Sequence, residues 1–415
     1  MRQSQLFTKT KKDNPADEVA KNAQLLIRAG FIHKEMAGVY SILPLGYRVV
    51  EKIVTIIKEE MNAIGGIQMK TSAIQTKEVW EKTNRWDDNI VDVWFKTKLK
   101  NGTEVALSFT NEEAYSNIMK NFISSYKDLP LYPYDFKTIF RNETRSKSGM
   151  MRGREFYWKA LYSFSADKEQ HDEFYEKAKQ AYHNVFRRAG LEDYTYLTFA
   201  SGGTFSKFSH EFQTVSEAGE DLIYIDEAKG IAINEEVLTD DVLLELGIER
   251  SGLVEKKAIE VGNIFSLASK FSEPFGLTYK NTEGVDVPVF MGSYGIGVTR
   301  LMGTIVEVLS DEKGIVWPEA VAPFKVHLLQ LSETVATNAQ EIYSQLLEKN
   351  IEVLFDDRIG LSAGEKFADS DLLGMPHRVV VSERSLAQGG VEYKKRDSAE
   401  STVISVEALI QSLTA

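Results

Sequence analysis

FKTIFRNETRSKSGMMRGREFYWKALYSF, Phe136 to Phe164, is the stretch whose reading decides the fold. It opens on strict alternation, with Phe136, Thr138 and Phe140 on one side and Lys137, Ile139, Arg141 and Glu143 on the other. Period two is the strand signal. A polar loop with one glycine follows, Arg145 to Met151, and a second extended run begins near Arg152, with Arg154, Phe156 and Trp158 sharing a face. Together these predict an antiparallel hairpin. Arg141 and Glu143 stand two residues apart and so point the same way. The returning strand brings Arg152 and Phe156. Two guanidiniums, a carboxylate and an aromatic ring on a rigid hairpin suit a nucleoside triphosphate. Arginine pairs with phosphate, the ring stacks on the base, and the carboxylate accepts from an exocyclic amine. A salt-bridged surface hairpin fits the same composition.

Working outward, 415 residues imply two domains, with room for a third. Cysteine is absent, which removes disulfides and thiolate metal sites and fits a reducing cytosol. The six histidines are scattered, without metal-ligand spacing. No apolar run approaches membrane length, and MRQSQLFTKTKKDNP lacks the apolar core of a secretory signal. The expectation is a cytoplasmic protein with no membrane partner. A net charge of −12 argues against indiscriminate nucleic-acid binding. It leaves room for a specific RNA partner at basic patches such as Lys137 to Lys159 and Lys394 to Arg396.

Ahead of the hairpin, residues 1–14 read as a mobile arm. Pro15 is placed to open a helix and Gly30 to close it, with Val19, Ala23, Leu26 and Ile27 on the apolar side. A long helix is predicted from about Gly46 to Ile64, ended by Gly65 and Gly66, with the stripe Val50, Ile53, Ile57, Met61 and Ile64. A strand over Ile67 to Ile74 follows. Thr103 to Phe109 alternates as a strand and delivers Thr110-Asn111-Glu112-Glu113 just before a helix. A hydroxyl and a carboxylate suit a secondary ammonium with its two N–H donors. The same residues also make an ordinary helix cap.

Beyond the hairpin, Asp167 to Gly190 is a predicted helix with Phe174, Ala178, Ala181, Tyr182 and Val185 inward. A strand, Thr195 to Phe199, leads to SGGTFSKFSHEFQTV, which carries His210, Glu211 and Gln213. Glu227 to Lys257 is the least patterned part, holding one short helix, Asp240 to Leu246. Ile259 to Leu267 is a strand. Met291 to Leu309, MGSYGIGVTRLMGTIVEVL, brings glycines at 292, 295 and 297, then apolar residues at helical spacing, with Arg300 in the first turn. Its GxxGxG order matches neither the dinucleotide fingerprint nor a P-loop. Pro318 and Pro323 mark a linker. From Lys325 the predicted order is strand (Val326 to Leu331), helix (Ala336 to Leu347), strand (Ile351 to Phe355), helix (Gly364 to Leu373), strands (Arg378 to Val381, Val391 to Lys395) and a last helix (Val406 to Leu413). That order implies a mixed α/β sheet.

The pattern FRNE, loop, RGREF resembles motif 2 of class II aminoacyl-tRNA synthetases. The long helix and strand at about 38–74 resemble motif 1, which in that family builds the dimer interface. Residues 291–309 resemble motif 3. TNEE resembles the TxEE loop of prolyl-tRNA synthetases, and VLFDDR, FADSDLLGMPH and VEYKKR resemble their anticodon-binding domain. The chain is similar over nearly its full length to a bacterial-type prolyl-tRNA synthetase.

The resemblance implies an α+β fold. A class II catalytic domain over 1–320, an antiparallel sheet flanked by helices, precedes an α/β anticodon-binding domain over 325–415. It implies a homodimeric, cytoplasmic proline–tRNA ligase that uses ATP and Mg²⁺, activates L-proline and charges tRNA(Pro). Arg141 and Arg300 are the implied catalytic residues. Arg141, Glu143, Arg152, Phe156, Gln213 and Arg300 are implied for ATP; Thr110, Glu112, Arg141, His210 and Ser293 for proline. Arg358, Lys366 and Asp371 are implied for tRNA, and Glu211 and Glu260 for the metal. Many relatives carry an insertion that hydrolyses alanyl-tRNA; only the short segment 227–257 stands in its place, so editing is expected from a separate protein. Departures from the family pattern are Ser72, Asn111, Ala160, Asn263, Ser293 and the run TFSKF. They keep open an alternative, a catalytically impaired tRNA-binding paralogue. A threonyl-type enzyme is disfavoured, because its zinc site uses cysteine.

Overall fold

A computed structural model describes residues 1–146, 148–202 and 208–414. It contains two compact units. The larger comprises 36–39 and 54–304; the smaller comprises 1–35, 40–53 and 305–415.

The larger unit is built on a nine-stranded sheet. The expected hairpin lies toward one edge of it: Pro133–Phe140 pairs antiparallel with Glu155–Ser165, from Tyr134 opposite Leu161 to Phe140 opposite Glu155. The return strand thus starts at Glu155, three residues after the expected Arg152. The glycine-rich strand Phe290–Gly297 lies next to it, and the long strand Val254–Ala268 next to that. Strict alternation sorts the side chains of the return strand. Leu161 and Lys159 face the helix Lys168–Arg188, while Phe156, Trp158, Ala160 and Tyr162 face the other way. That helix starts as its sequence predicts: the Asp167 carboxylate caps it by accepting from the Gln170 amide at 2.9 Å. Phe174, Ala178, Tyr182 and Val185 are fully buried beneath it.

The segment 227–257 corrects the sequence reading. The short helix is where it was expected, Asp240–Leu246, but Ile231–Asn234 is also a strand. It pairs with Asp221–Asp226 and, in parallel, with Thr195–Ser201. Because Phe208–Val215 bonds to both Thr195–Ser201 and Val254–Ala268, and Asp221–Asp226 also bonds to Val254–Ala268, five strands close on themselves. Ile223, Ile225, Ala232 and Ala258 fill this ring. Closure leaves no free edge here. Ile231-Ala232-Ile233 is too short a run to announce itself by period.

Three further expectations change. The predicted strand Ile67 to Ile74 is two: Ile67–Gln68 joins the large sheet, and Ile74–Thr76 joins a small sheet with Glu104–Leu107 and Phe95–Lys98. The first helix is Lys21–Arg28, not a helix opened by Pro15. Asp17 and Glu18 are instead held in turns by the Lys34 ammonium, each at 2.8 Å, leaving Val19 exposed. Residues 1–14 are also not a free arm. Within the smaller unit Arg2 bridges to Phe355 and pairs with Asp357 at 2.8 Å, Gln3 is buried, and Thr10 donates to Asp369 at 2.6 Å. The helix expected from Gly46 runs Pro44–Ala63 and buries Val50, Ile53, Ile57 and Met61.

The smaller unit carries a five-stranded mixed sheet in the order Val353–Asp356, Val326–Gln330, His377–Val381, Val391–Lys395, Thr402–Ile404. The first three run parallel and the last two antiparallel. The elements expected from Val326 onward are present, with Thr402–Ile404 and a short helix, Glu383–Ala387, in addition. Val326, Leu328, Ile342, Leu346, Val379 and Leu409 form its core.

Candidate active site

The sheet face away from the Lys168–Arg188 helix carries a cavity of about 270 Å³, and the hairpin supplies much of its wall. Arg141 stands just past the leading strand, held in register by its amide bond to the Arg154 carbonyl at 2.9 Å. Its guanidinium lies 5.4 Å from the Phe156 ring centre and 5.1 Å from that of Trp158. Its Nε donates to the Phe109 carbonyl at 3.3 Å. Among the described residues, none takes a hydrogen bond from its two terminal nitrogens. Burial and then the neighbouring Arg300 depress its pKa, against Glu260, Glu143 and Glu112. A desolvated, under-neutralised guanidinium aimed at a cavity is an anion site.

The other two arginines are engaged. Arg300, in the first turn of the helix Val298–Leu309, donates to the Met151 carbonyl at 2.8 Å and to Glu260, carbonyl at 2.6 Å and carboxylate at 3.3 Å. Arg152 reaches Glu143 at 2.9 Å and Glu220 at 2.8 Å. The Gly295 position is bare by necessity. A β-carbon there would fall 2.7 Å from the Trp158 ring and 2.8 Å from the Asn263 Oδ1.

The opposite wall is acidic. Glu260 and Asp221 line it. Glu211 sits behind, bonded by the Gln213 Nε2 at 2.8 Å, and the same nitrogen reaches Asp221 at 2.7 Å. Burial, then Glu260 and Asp221, push Glu211 up to about 8. Asp221 is raised as well, by burial first. Among the described residues no three His, Asp or Glu side chains make a ready metal cage. Crowded carboxylates short of positive charge fit a divalent cation that completes its shell with phosphate oxygens and water. Gln213 itself is fully buried behind the wall.

A second cluster adjoins Arg141 through Phe109. The Thr110 hydroxyl donates to both Glu112 oxygens, at 2.8 and 2.7 Å, and the Tyr162 hydroxyl donates to Glu112 at 2.9 Å. Arg85 Nη1 bridges Glu112 at 3.1 Å and Glu113 at 3.0 Å. Burial alone would raise Glu112, but Arg85 and Thr110 bring it below the usual range; burial, with Glu112 beside it, lifts Glu113 to about 7. Ser293 lies directly opposite Tyr162 across the strands, on the face that Tyr162 shares.

Placement separates the sequence candidates. Arg141, Glu143, Arg152, Phe156, Glu260 and Arg300 line a single shared cavity. Thr110 and Glu112 form the adjoining cluster. His210 goes elsewhere. It pairs with Ile264 on the helix face, and its Nδ1 meets the Tyr175 hydroxyl at 2.8 Å. Alternation decides this, since neighbours Ser209 and Glu211 face the other way. Burial lowers its pKa to about 4. In the smaller unit Lys366 is 2% exposed, its ammonium on the Gln330 carbonyl at 2.6 Å. Arg358 pairs with Asp356 at 2.7 Å and Asp369 at 2.8 Å, and Asp371 takes a bond from Arg378 at 2.9 Å. Lys366 thus braces the sheet from inside. Of the departures from the family pattern, TFSKF lies largely outside the described residues.

Sequence reasoning gave Arg85, Tyr162 and Trp158 no role at the site. Trp158 and Tyr162 shared the Phe156 parity and were findable by it. Arg85 sits in a turn region with no period, and only the fold brings it to Glu112.

Residues 95–309 match the family model described as tRNA synthetase class II core domain (G, H, P, S and T), and residues 320–415 match the anticodon binding domain. The chain is 36% identical to a proline–tRNA ligase of Hyphomonas neptunium, over 100% of this chain and 99% of that one. It is 35% identical to a proline–tRNA ligase of Rhodopseudomonas palustris, over the whole of both. Among solved structures it resembles Giardia lamblia prolyl-tRNA synthetase in complex with prolyl-adenylate, with a TM-score of 0.77 at 20% identity, covering 93% of this chain and 74% of that one.

Proposed function

The chain belongs to the class II tRNA synthetases, among the proline–tRNA ligases, and from that premise we propose that it activates L-proline with ATP and transfers it to tRNA(Pro). The observation that carries this reading is the Arg141 guanidinium, desolvated and open at both terminal nitrogens beside Phe156 and Trp158.

Carboxylate attack on the α-phosphate needs alignment and charge neutralisation rather than a strong base. Arg141 bridges the proline carboxylate and the α-phosphate, and its charge gains most as the phosphorus becomes five-coordinate. Phe156 stacks on adenine, and Glu143 accepts from the exocyclic amine. Arg152 and Arg300 hold the phosphate tail, exchanging their present carboxylate and carbonyl partners for phosphate oxygens. Thr110 and Glu112 receive the proline ammonium, with Tyr162 and Arg85 holding the Glu112 carboxylate. Ser293 stands beside them; His210 faces away and drops out. Glu211 and Glu260 are the residues to hold Mg²⁺, which supplies positive charge to the phosphates when bound.

We assign catalysis to 1–320 and anticodon binding to 325–415, with Arg358 and Asp371 near the tRNA and Lys366 in a structural role. A cytoplasmic homodimer and a separate protein that clears alanyl-tRNA complete the reading. No helix among the described residues is long and apolar enough to cross a membrane. Charging of a tRNA(Pro) transcript with labelled proline tests the reading. Charging supports it; binding of the transcript without charging favours the paralogue.

A further inference from the structure

Lys137 is 3% exposed, yet its ammonium is fully used. It donates to Asn111 Oδ1 at 2.8 Å, to the Ser72 carbonyl at 2.9 Å and to Thr71 Oγ1 at 3.1 Å. Thr71 is fixed in turn: its hydroxyl and amide donate to Asp135 Oδ2 at 2.5 and 3.1 Å. Asp135 and Lys137 share a face of the leading hairpin strand, two residues apart.

Asn111 is the middle residue of Thr110-Asn111-Glu112, and it sits where a helix N-cap belongs without capping by its side chain. Its side-chain oxygen is spent on Lys137 instead. The same strand grips the preceding residues twice more. The Phe140 amide donates to the Ser108 carbonyl at 3.0 Å, and Arg141 Nε donates to the Phe109 carbonyl at 3.3 Å. Ser108 to Asn111 is therefore clamped along the strand that leads into Arg141. Of these grips, only the one at Lys137 reaches the loop beyond Thr110.

We propose that Lys137 is a positioning residue, which fixes Thr110 and Glu112 at their distance from Arg141 and thereby sets the affinity for the amino acid but not for the nucleotide. This rests on the reading of Thr110 and Glu112 as the amino-acid ammonium site. A hydrogen bond between charged and neutral groups is worth enough that its loss changes affinity by about tenfold or more.

The test is Lys137→Met, which keeps the stem length and removes the ammonium, alongside Asn111→Leu, which removes the same contact from the loop. In proline-dependent ATP–pyrophosphate exchange the KM for proline rises by about tenfold in each. The KM for ATP and the kcat at saturating proline stay within about twofold. The double variant is no worse than the single ones. Hydrogen exchange at the 108–115 amides speeds up locally in both variants, a readout that needs no activity. An unchanged KM for proline, an equal rise in the KM for ATP, or unaltered exchange at 108–115 overturns the proposal. So does unfolding of both variants, which makes the cluster a folding core. If the parent itself shows no proline-dependent exchange, the amino-acid reading falls. The local hydrogen exchange still decides whether Lys137 holds the loop.

Discussion

Arg141 is the residue on which the chemistry turns, because its part-buried guanidinium has two terminal nitrogens without a hydrogen-bond partner among the described residues. Arg141→Ala removes an interaction that strengthens toward the transition state, so exchange falls about 100-fold or more, on the order of 3 kcal/mol. Single-turnover adenylate formation measures it. Glu211 makes a pH prediction. With its carboxyl lifted from 4.5 to about 8, the folded state holds a proton in that window that the unfolded state has released. The group's contribution to stability is therefore greatest at low pH and is lost as pH rises through 8. A cation needs the carboxylate, so Mn²⁺, as a probe for Mg²⁺, binds more tightly with rising pH, approaching tenfold per unit below 8. Calorimetry at pH 6.5 and 8 reads this, and Glu211→Gln flattens it. At this scale the sequence was legible where parity could be counted. Phe156 and Arg141 announced themselves in the hairpin. Parity also excludes His210 once the sheet's two faces are known, but sequence does not say which face holds the cavity.

Elements were legible in proportion to their length and caps. The Lys168–Arg188 helix shows both its cap and its stripe; Asp167→Ala leaves the Gln170 amide unpaired and costs about 1 kcal/mol in urea unfolding. The hairpin and the glycine-rich strand before Arg300 likewise follow from period and glycine spacing. Ile231–Asn234 did not, because the run is too short to show a period; it folds back on neighbouring Asp221–Asp226 and pairs in parallel with the more distant Thr195–Ser201. Residues 15–20 were misread because Pro15 is a permissive helix start, whereas the charges of Asp17 and Glu18 on Lys34 decide the local path. The ring has a functional consequence. It uses the whole connection between Asp221 and Ala268 as sheet and cover, with Ile233, Leu243 and Ile248 as a small core of their own. That leaves no second hydrolytic domain in this stretch.

For the molecule as a whole, that absence sets how proline is distinguished from alanine. Rejecting a smaller side chain gains only about 1–3 kcal/mol per missing methylene, so the account predicts that the protein forms alanyl-tRNA(Pro). Thin-layer analysis of labelled alanyl-tRNA(Pro) incubated with the protein shows only the spontaneous rate of hydrolysis; accelerated release of alanine would place an editing activity inside this chain. Relatives at about 35% identity align over their full lengths, so the short form is a pattern these proteins share. The central claim is amino-acid activation at Arg141, and proline-dependent ATP–pyrophosphate exchange, with alanine in parallel, tests it most directly. The account predicts strong exchange with proline and weaker exchange with alanine. Absence of exchange with any amino acid, in folded protein that still binds tRNA, would contradict it.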